Sequence, residues 1–220
     1  MNLEPGNHPH RRRNPLTGDW ILVSPQRTSR PWQGRLEAKP ATHLPSYDPD
    51  CYLCPGNRRA NGAHNPDYAH GFVFTNDFAA LLPDSPASPD SGHPLLKSGA
   101  CRGTCRVICF SPRHDLTLAD MSLAELDRVV ALWAGQVEEL GRKYRWVQLF
   151  ENKGAAMGCS NPHPHGQVWA SDQLPSEIVK EADNQRGWLD ENGSVLLVSY
   201  LDHELSAGER LVASNDSWRL

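Results

Sequence analysis

Long apolar runs are what this chain of 220 residues most plainly lacks; none reaches the length that crosses a bilayer. A membrane-spanning helix is therefore excluded. The first twenty residues also lack the apolar core of a secretory signal, being polar, proline-containing and rich in arginine, so the protein is expected to be cytoplasmic and soluble. Strong charge of one sign is missing as well. With 22 Lys and Arg against 26 Asp and Glu, the net charge of −4 does not suit a general nucleic-acid binder. The one basic cluster, Arg11 to Arg13, reads as a solvated N-terminal arm. Internal repeats are absent. Six cysteines in a reducing compartment read as thiols or metal ligands rather than disulfides, and a chain of this length buries a core without them. The tryptophans, seven in number and scattered, read as core.

The N-terminal third is loop-rich. RNPLTGDWILVSPQR predicts a turn at Leu16 to Asp19 and a strand at Trp20 to Ser24. Residues 31 to 66 are thick with Pro, Gly and Asn, and so irregular a stretch needs something to pin it. A strand is predicted at Phe72 to Thr75, a surface loop over 83–94, and a strand in TCRVICFSP with Cys105, Val107 and Cys109 on one face. SLAELDRVVALWAGQVEELGRKY predicts a long helix. Ser122 and Glu125 form its capping box, and Leu126, Val129, Val130, Trp133, Val137 and Leu140 its apolar stripe. WVQLFEN predicts a short buried strand, and PSEIVKEADNQRGWL a second, shorter helix with Pro175 near its start. The tail (VLLVSY, ERLVAS) alternates weakly, as a strand would. This order predicts an α+β fold, one domain over 1–220 with a mainly antiparallel sheet.

The stretch GCSNPHPHGQVWA, residues 158–170, carries the densest chemistry. If residues 163–169 are extended, His163, His165, Gln167 and Trp169 share one face. Pro164 and Gly166 then predict an edge or irregular strand with backbone open to a ligand. The small-residue loop before it offers amides for an anion. An imidazole beside such donors suits attack on phosphorus: its neutral form is abundant near pH 7 and its phosphorylated form stays reactive. Gln167 can donate to a phosphoryl oxygen. A second His-Pro-His, His8 and His10 in the basic arm, lacks both the small-residue loop and the glutamine, so the tripeptide alone says little.

Cys51 and Cys54 have the gap that lets two sulfurs reach one zinc. A redox pair of the thioredoxin kind would want a helix opening at the cysteines; Pro55-Gly56-Asn57 makes a turn there instead, which favours metal. His114, directly after the cysteine-bearing strand, and His163 are the candidates for the remaining ligands.

Taken together, RNPLTGDWILVSPQR, RPWQG, CYLCPGNRRANG, FTNDFAAL, ICFSPRHD and FENKGAAMGCSNPHPHGQVWA closely resemble the galactose-1-phosphate uridylyltransferase family of the histidine-triad superfamily. The resemblance implies a histidine-triad-like domain with a zinc-pinned N-terminal loop region. It also implies ping-pong exchange of UMP between UDP-glucose and galactose 1-phosphate, yielding glucose 1-phosphate and UDP-galactose. It splits the histidine pair: His165 matches the nucleophile that carries UMP, while His163 matches a zinc ligand with Cys51, Cys54 and His114. Gln167 matches the phosphoryl contact. Asn76 and Asp77 match uridine and ribose contacts, and Asn152, Gly158, Cys159 and Ser160 the loop around the phosphates. Arg27 and Arg30 match arginines that reach a substrate in the neighbouring subunit, implying a homodimer. Glu181 matches one ligand of a second metal, iron or zinc.

Chains of that family are longer and hold a second histidine-triad-like half, which is absent from these 220 residues. The other ligands expected around Glu181, and the residues that hold the hexose, are absent with it. Two alternatives follow. One is a related nucleotidyl transferase or phosphorylase that uses another nucleotide sugar. The other is a non-catalytic zinc-stabilised fragment needing a second chain.

Overall fold

A computed structural model of the chain describes residues 3–31, 44–89, 91–159 and 161–220. Ser160 and most of the RPWQG stretch lie outside the described residues. By its contacts the chain divides into two compact units, Met1–Glu37 with Pro175–Leu220, and Ala38–Leu174.

The first unit holds a hairpin and two helices. Strand β1 (His10–Arg13) pairs antiparallel with β2 (Trp20–Val23). Asn14 makes the turn, its side chain accepting from Leu16 N at 2.9 Å and its carbonyl from Gly18 N at 2.8 Å. Helix α2 (Ser176–Asn192) follows Pro175 and ends on Gly193, whose φ of 66° suits a residue without Cβ. Helix α3 (Leu196–Ala207) ends likewise on Gly208. The VLLVSY part of the tail is therefore helical where weak alternation predicts a strand, while ERLVAS lies beyond the helix. Two glycine stops bracket a leucine-rich segment, and such caps outweigh a faint period of two.

The second unit is built on an antiparallel sheet of order β3-β4-β6-β5: β3 (Phe72–Thr75), β4 (Gly103–Cys109), β5 (Trp146–Phe150) and β6 (His165–Ser171). Helix α1 (Leu123–Gly141) starts at the Ser122–Glu125 capping box as its sequence predicts. It covers one face of the sheet, where Val129 and Leu140 pack with Ile108, Phe110, Val168 and Ala170. Its stripe is rotated from the predicted one. Val130 and Val137 are exposed, and Gln136 is buried in their stead, its Oε1 taking Arg106 Nη1 at 2.7 Å while Glu139 holds the rest of that guanidinium.

The expectation of an edge position for the HPH strand is overturned: β6 lies between β4 and β5. Pro164 falls just outside it, so no ladder donor is lost. Gly166 is there because space is short: a Cβ would lie 2.8 Å from Phe110 Cζ and 2.8 Å from the Phe150 carbonyl oxygen. WVQLF is the half-buried edge strand instead.

Candidate active site and metal cluster

The face of the sheet away from α1 carries the chemistry. In the β4–β6 register Cys109 faces His165 and Val107 faces Gln167, and side chains two apart share a face. On this face the loop holding Cys51, Leu53 and Cys54 packs against Tyr68, Val107 and Cys109. Asn57 folds that loop, donating to the carbonyls of Asp48 at 2.9 Å and Cys51 at 2.8 Å.

Cys51, Cys54, His114 and His163 meet there, all buried, with their ligand atoms within 4.8 Å of one another. Cys54 Sγ lies 3.7 Å from His114 Nδ1 and 3.5 Å from His163 Nδ1. A tetrahedral ion with metal–sulfur and metal–nitrogen bonds of the zinc kind spaces sulfur and nitrogen about 3.6 Å apart, so this group could hold a metal. The surroundings prepare each ligand. His163 Nε2 donates to the Ser111 carbonyl at 2.9 Å, with the Tyr68 hydroxyl 3.1 Å away; this turns the Nδ1 lone pair toward the sulfurs. Asn161 Nδ2 donates to Cys51 Sγ at 3.4 Å, and the Leu53 amide does the same at 3.4 Å. Burial pushes the Cys54 thiol up to about 11 and the His163 imidazole down to about 4, so without a cation these two ligands are neutral near pH 7.

His163 reaches the next residue of interest through its backbone. His165 Nδ1 donates to the His163 carbonyl at 2.7 Å, so when the ring carries a single proton Nε2 is the nitrogen left with a lone pair. His165 lines a cavity of about 380 Å³, together with Gln167, Asn76, Asp77, Gly158 and Cys159. Gln167 Oε1 accepts from Trp169 Nε1 at 3.1 Å and lies 3.5 Å from Asn76 Nδ2. Two donors on that oxygen orient the amide, so its own N–H bonds are the part offered to a ligand. Gly158, at φ 79°, turns the loop that brings Cys159 and Asn152 to the cavity. The other wall is apolar, from Tyr52, Leu53, Phe74 and Val107. An apolar slot at one side and amides with an imidazole at the other suit a ligand with a flat ring and a phosphate.

The residues expected at this site thus come together, apart from Ser160, which lies outside the described residues, and three in the other unit. Arg27 and Arg30 are exposed, in and just after the 3-10 turn Pro25–Ser29. Glu181 lies on α2, and among the described residues no further group of metal-type side chains includes it. The sequence reading missed Asn161 and Tyr68, which orient the metal cluster, and the apolar wall. The proximity of Asn161 to the HPH segment was the only local signal for any of these.

An antiparallel sheet backed by one long helix, with a Cys2His2 group beside an imidazole-lined cavity, defines a histidine-triad-like α+β domain. Uridylyltransferase itself has been solved, and that structure superposes with a TM-score of 0.63 at 23% identity over 95% of this chain and 60% of that one. An ADP-glucose phosphorylase from Arabidopsis thaliana with bound ADP-glucose gives 0.60 at 23% identity over 86% and 56%. Residues 1–175 match the family described as galactose-1-phosphate uridyl transferase, N-terminal domain, and the chain belongs to that family. The galactose-1-phosphate uridylyltransferase of Haemophilus influenzae is 54% identical over 98% of this chain and 62% of its own length. The chain thus spans about three fifths of the relatives it matches.

Proposed function

We propose that this chain transfers UMP between UDP-glucose and galactose 1-phosphate, in galactose metabolism, through a uridylyl group held on His165. The observation that carries the reading is the 2.7 Å bond from His165 Nδ1 to the His163 carbonyl, which aims a free Nε2 lone pair at a cavity lined by amide donors. Nε2 attacks the α-phosphorus of UDP-glucose. The N–P bond forms as the bond to the bridging oxygen breaks, and that oxygen takes the electron pair away with glucose 1-phosphate. A phosphate is a weak base and departs without a proton, so a neutral Gln167 amide, donating to the phosphoryl oxygen, is enough. A phosphate oxygen of galactose 1-phosphate then attacks the same phosphorus. The N–P bond breaks, UDP-galactose leaves, and the ring is neutral again.

Asn76 and Asp77 take the nucleoside in this reading, and Asn152, Gly158 and Cys159, with Ser160, the phosphates. The buried pair of thiols and pair of imidazoles, with sulfur–nitrogen spacings of 3.5 and 3.7 Å, fits zinc. Zinc bound there would tie the Cys51 loop to the sheet and set the His163 carbonyl that orients His165. By resemblance, Arg27 and Arg30 serve the site of a second subunit in a homodimer, and Glu181 is one ligand of a second metal, iron or zinc. Because a neighbouring fold holds ADP-glucose, the second reading keeps the His165 chemistry and changes the donor. Labelling with UDP-glucose and with ADP-glucose separates the two. Faster mass gain from UDP-glucose, abolished by His165→Asn, is expected; an adduct persisting on that variant overturns the assignment.

A further inference from the structure

Beside the nucleoside end of the cavity, Arg59 lies where the described chemistry gives it no task. Its guanidinium carbon stands 4.2 Å over the Phe74 ring, and its side chain is only 13% exposed. Nε and Nη1 are buried without a hydrogen-bond partner among the described residues. Leaving two such donors unpaired is costly, and a cation stacked on an aromatic face recovers part of that cost. Among the described residues its ion-pair partner is Asp77, whose Oδ1 is 3.9 Å from Nη1 and whose side chain is 8% exposed.

Asp77 is held from a second side. Asn61 Nδ2 donates to the same Oδ1 at 2.7 Å, while Asn61 Oδ1 accepts from the Ala63 amide at 2.8 Å. Arg59 and Asn61 belong to one tight turn, closed by Arg59 N to the Ala63 carbonyl at 2.7 Å and Gly62 N to the Arg59 carbonyl at 3.0 Å. Both holds fall on Oδ1. The carboxylate is thus oriented about one oxygen, and Oδ2 is the oxygen left for a ligand in the cavity that Asp77 lines.

We propose that Arg59 is a positioning residue: with Asn61 it fixes the Asp77 carboxylate so that Oδ2 accepts from the ribose hydroxyls of the bound nucleotide. This rests on the reading of Asp77 as a ribose contact. Arg59 touches no substrate. Its charge and its seat on Phe74, itself a cavity wall, set where the acceptor stands and make the site select ribose over sugars lacking those hydroxyls.

The test is calorimetric binding of UDP and of 2′,3′-dideoxy-UDP to the full chain. It compares wild type with Arg59→Met, Asn61→Ala, Asp77→Ala and Arg59→Met/Asp77→Ala, each checked for metal content and melting temperature. A hydrogen bond to a charged group is worth about tenfold or more in affinity. Arg59→Met is expected to weaken UDP about tenfold and to leave the dideoxy analogue unchanged. Asn61→Ala, at an exposed turn position, is expected to shift the same ratio without disturbing the core. The double variant is expected to bind no more weakly than Asp77→Ala. Equal weakening of both ligands, or additive losses in the double variant, overturns the proposal. So does an Asp77→Ala variant that keeps the ribose preference. Group transfer on His165 is read separately, by mass, so its failure cannot be mistaken for failure here.

Discussion

Gly166→Ala tests the placement of the nucleophile from behind. The added Cβ would meet Phe110 Cζ and the Phe150 carbonyl, each at 2.8 Å. Neither can move away cheaply. Phe110 is buried at 4% exposure and packs edge-on against Trp133 at 5.5 Å. Phe150 belongs to β5, whose ladder pairs it with Gln167. Relief requires β6 to shift by several tenths of an ångström, and overpacking of this kind costs about 1–3 kcal/mol, here toward the upper end because one neighbour is backbone. At about 2–4 °C per kcal/mol for a chain of this size, the melting temperature should fall by about 6–12 °C. The same shift displaces His165, the adjacent residue, and a misplacement approaching 1 Å is worth about 10²-fold in rate. Thermal unfolding followed by circular dichroism, beside the initial rate of mass gain from UDP-glucose, reads both effects. A variant that melts within a degree or two of wild type and labels at the normal rate would refute the claim that β6 is jammed between Phe110 and β5.

Four further outcomes follow from other contacts of the same unit. Cys54→Ser should lower bound metal to near zero, by elemental analysis. Zinc uptake by the metal-free wild type near pH 7.5 should release at least one proton, because burial holds the Cys54 thiol up at about 11 and the cation must displace that proton; an indicator dye that registers no release would contradict this. Gln167→Ala should slow uridylyl transfer by about 10²–10³, the usual loss for one donor at a developing charge, with metal content unchanged. Ser122→Ala should cost about 1 kcal/mol by removing the α1 cap. The Glu125 carboxyl is held below its ordinary 4.5, first by the Ser122 hydroxyl and then by the Ser122 amide. Its contribution is therefore present above that value and lost as pH falls through the lowered one, so urea midpoints of wild type and variant should converge on acidification.

How much was legible in advance divides by range of interaction. Local signals read well: the capping box set the start of α1, and the Phe72–Thr75 strand appears with the predicted bounds. The Cys2His2 group was named from a two-residue gap and two histidines, and the structure gathers all four. Readings of what packs against a particular helix or strand failed. Val130 and Val137 lie exposed because Arg106, on a distant strand, draws Gln136 into the helix's buried face. Pro164 and Gly166 suggested an edge strand, whereas Gly166 is required in the middle by two neighbours that only the fold brings near. VLLVSY, too short to show a helical period by itself, is helical between glycine caps. Arg59 and Asn61 act through Asp77, and Asn161 through Cys51, 110 residues away; of the three only Asn161, beside the HPH segment, carried a local sign.

The central claim is that His165 carries the transferred group, and intact mass spectrometry with peptide mapping tests it most directly. The chain is mixed with UDP-glucose, then with galactose 1-phosphate. A gain of one uridylyl group, mapped to His165 and removed by the sugar phosphate, is the predicted result. No gain on a chain whose Cys2His2 group is loaded with zinc, or a gain mapped to another residue, would contradict it.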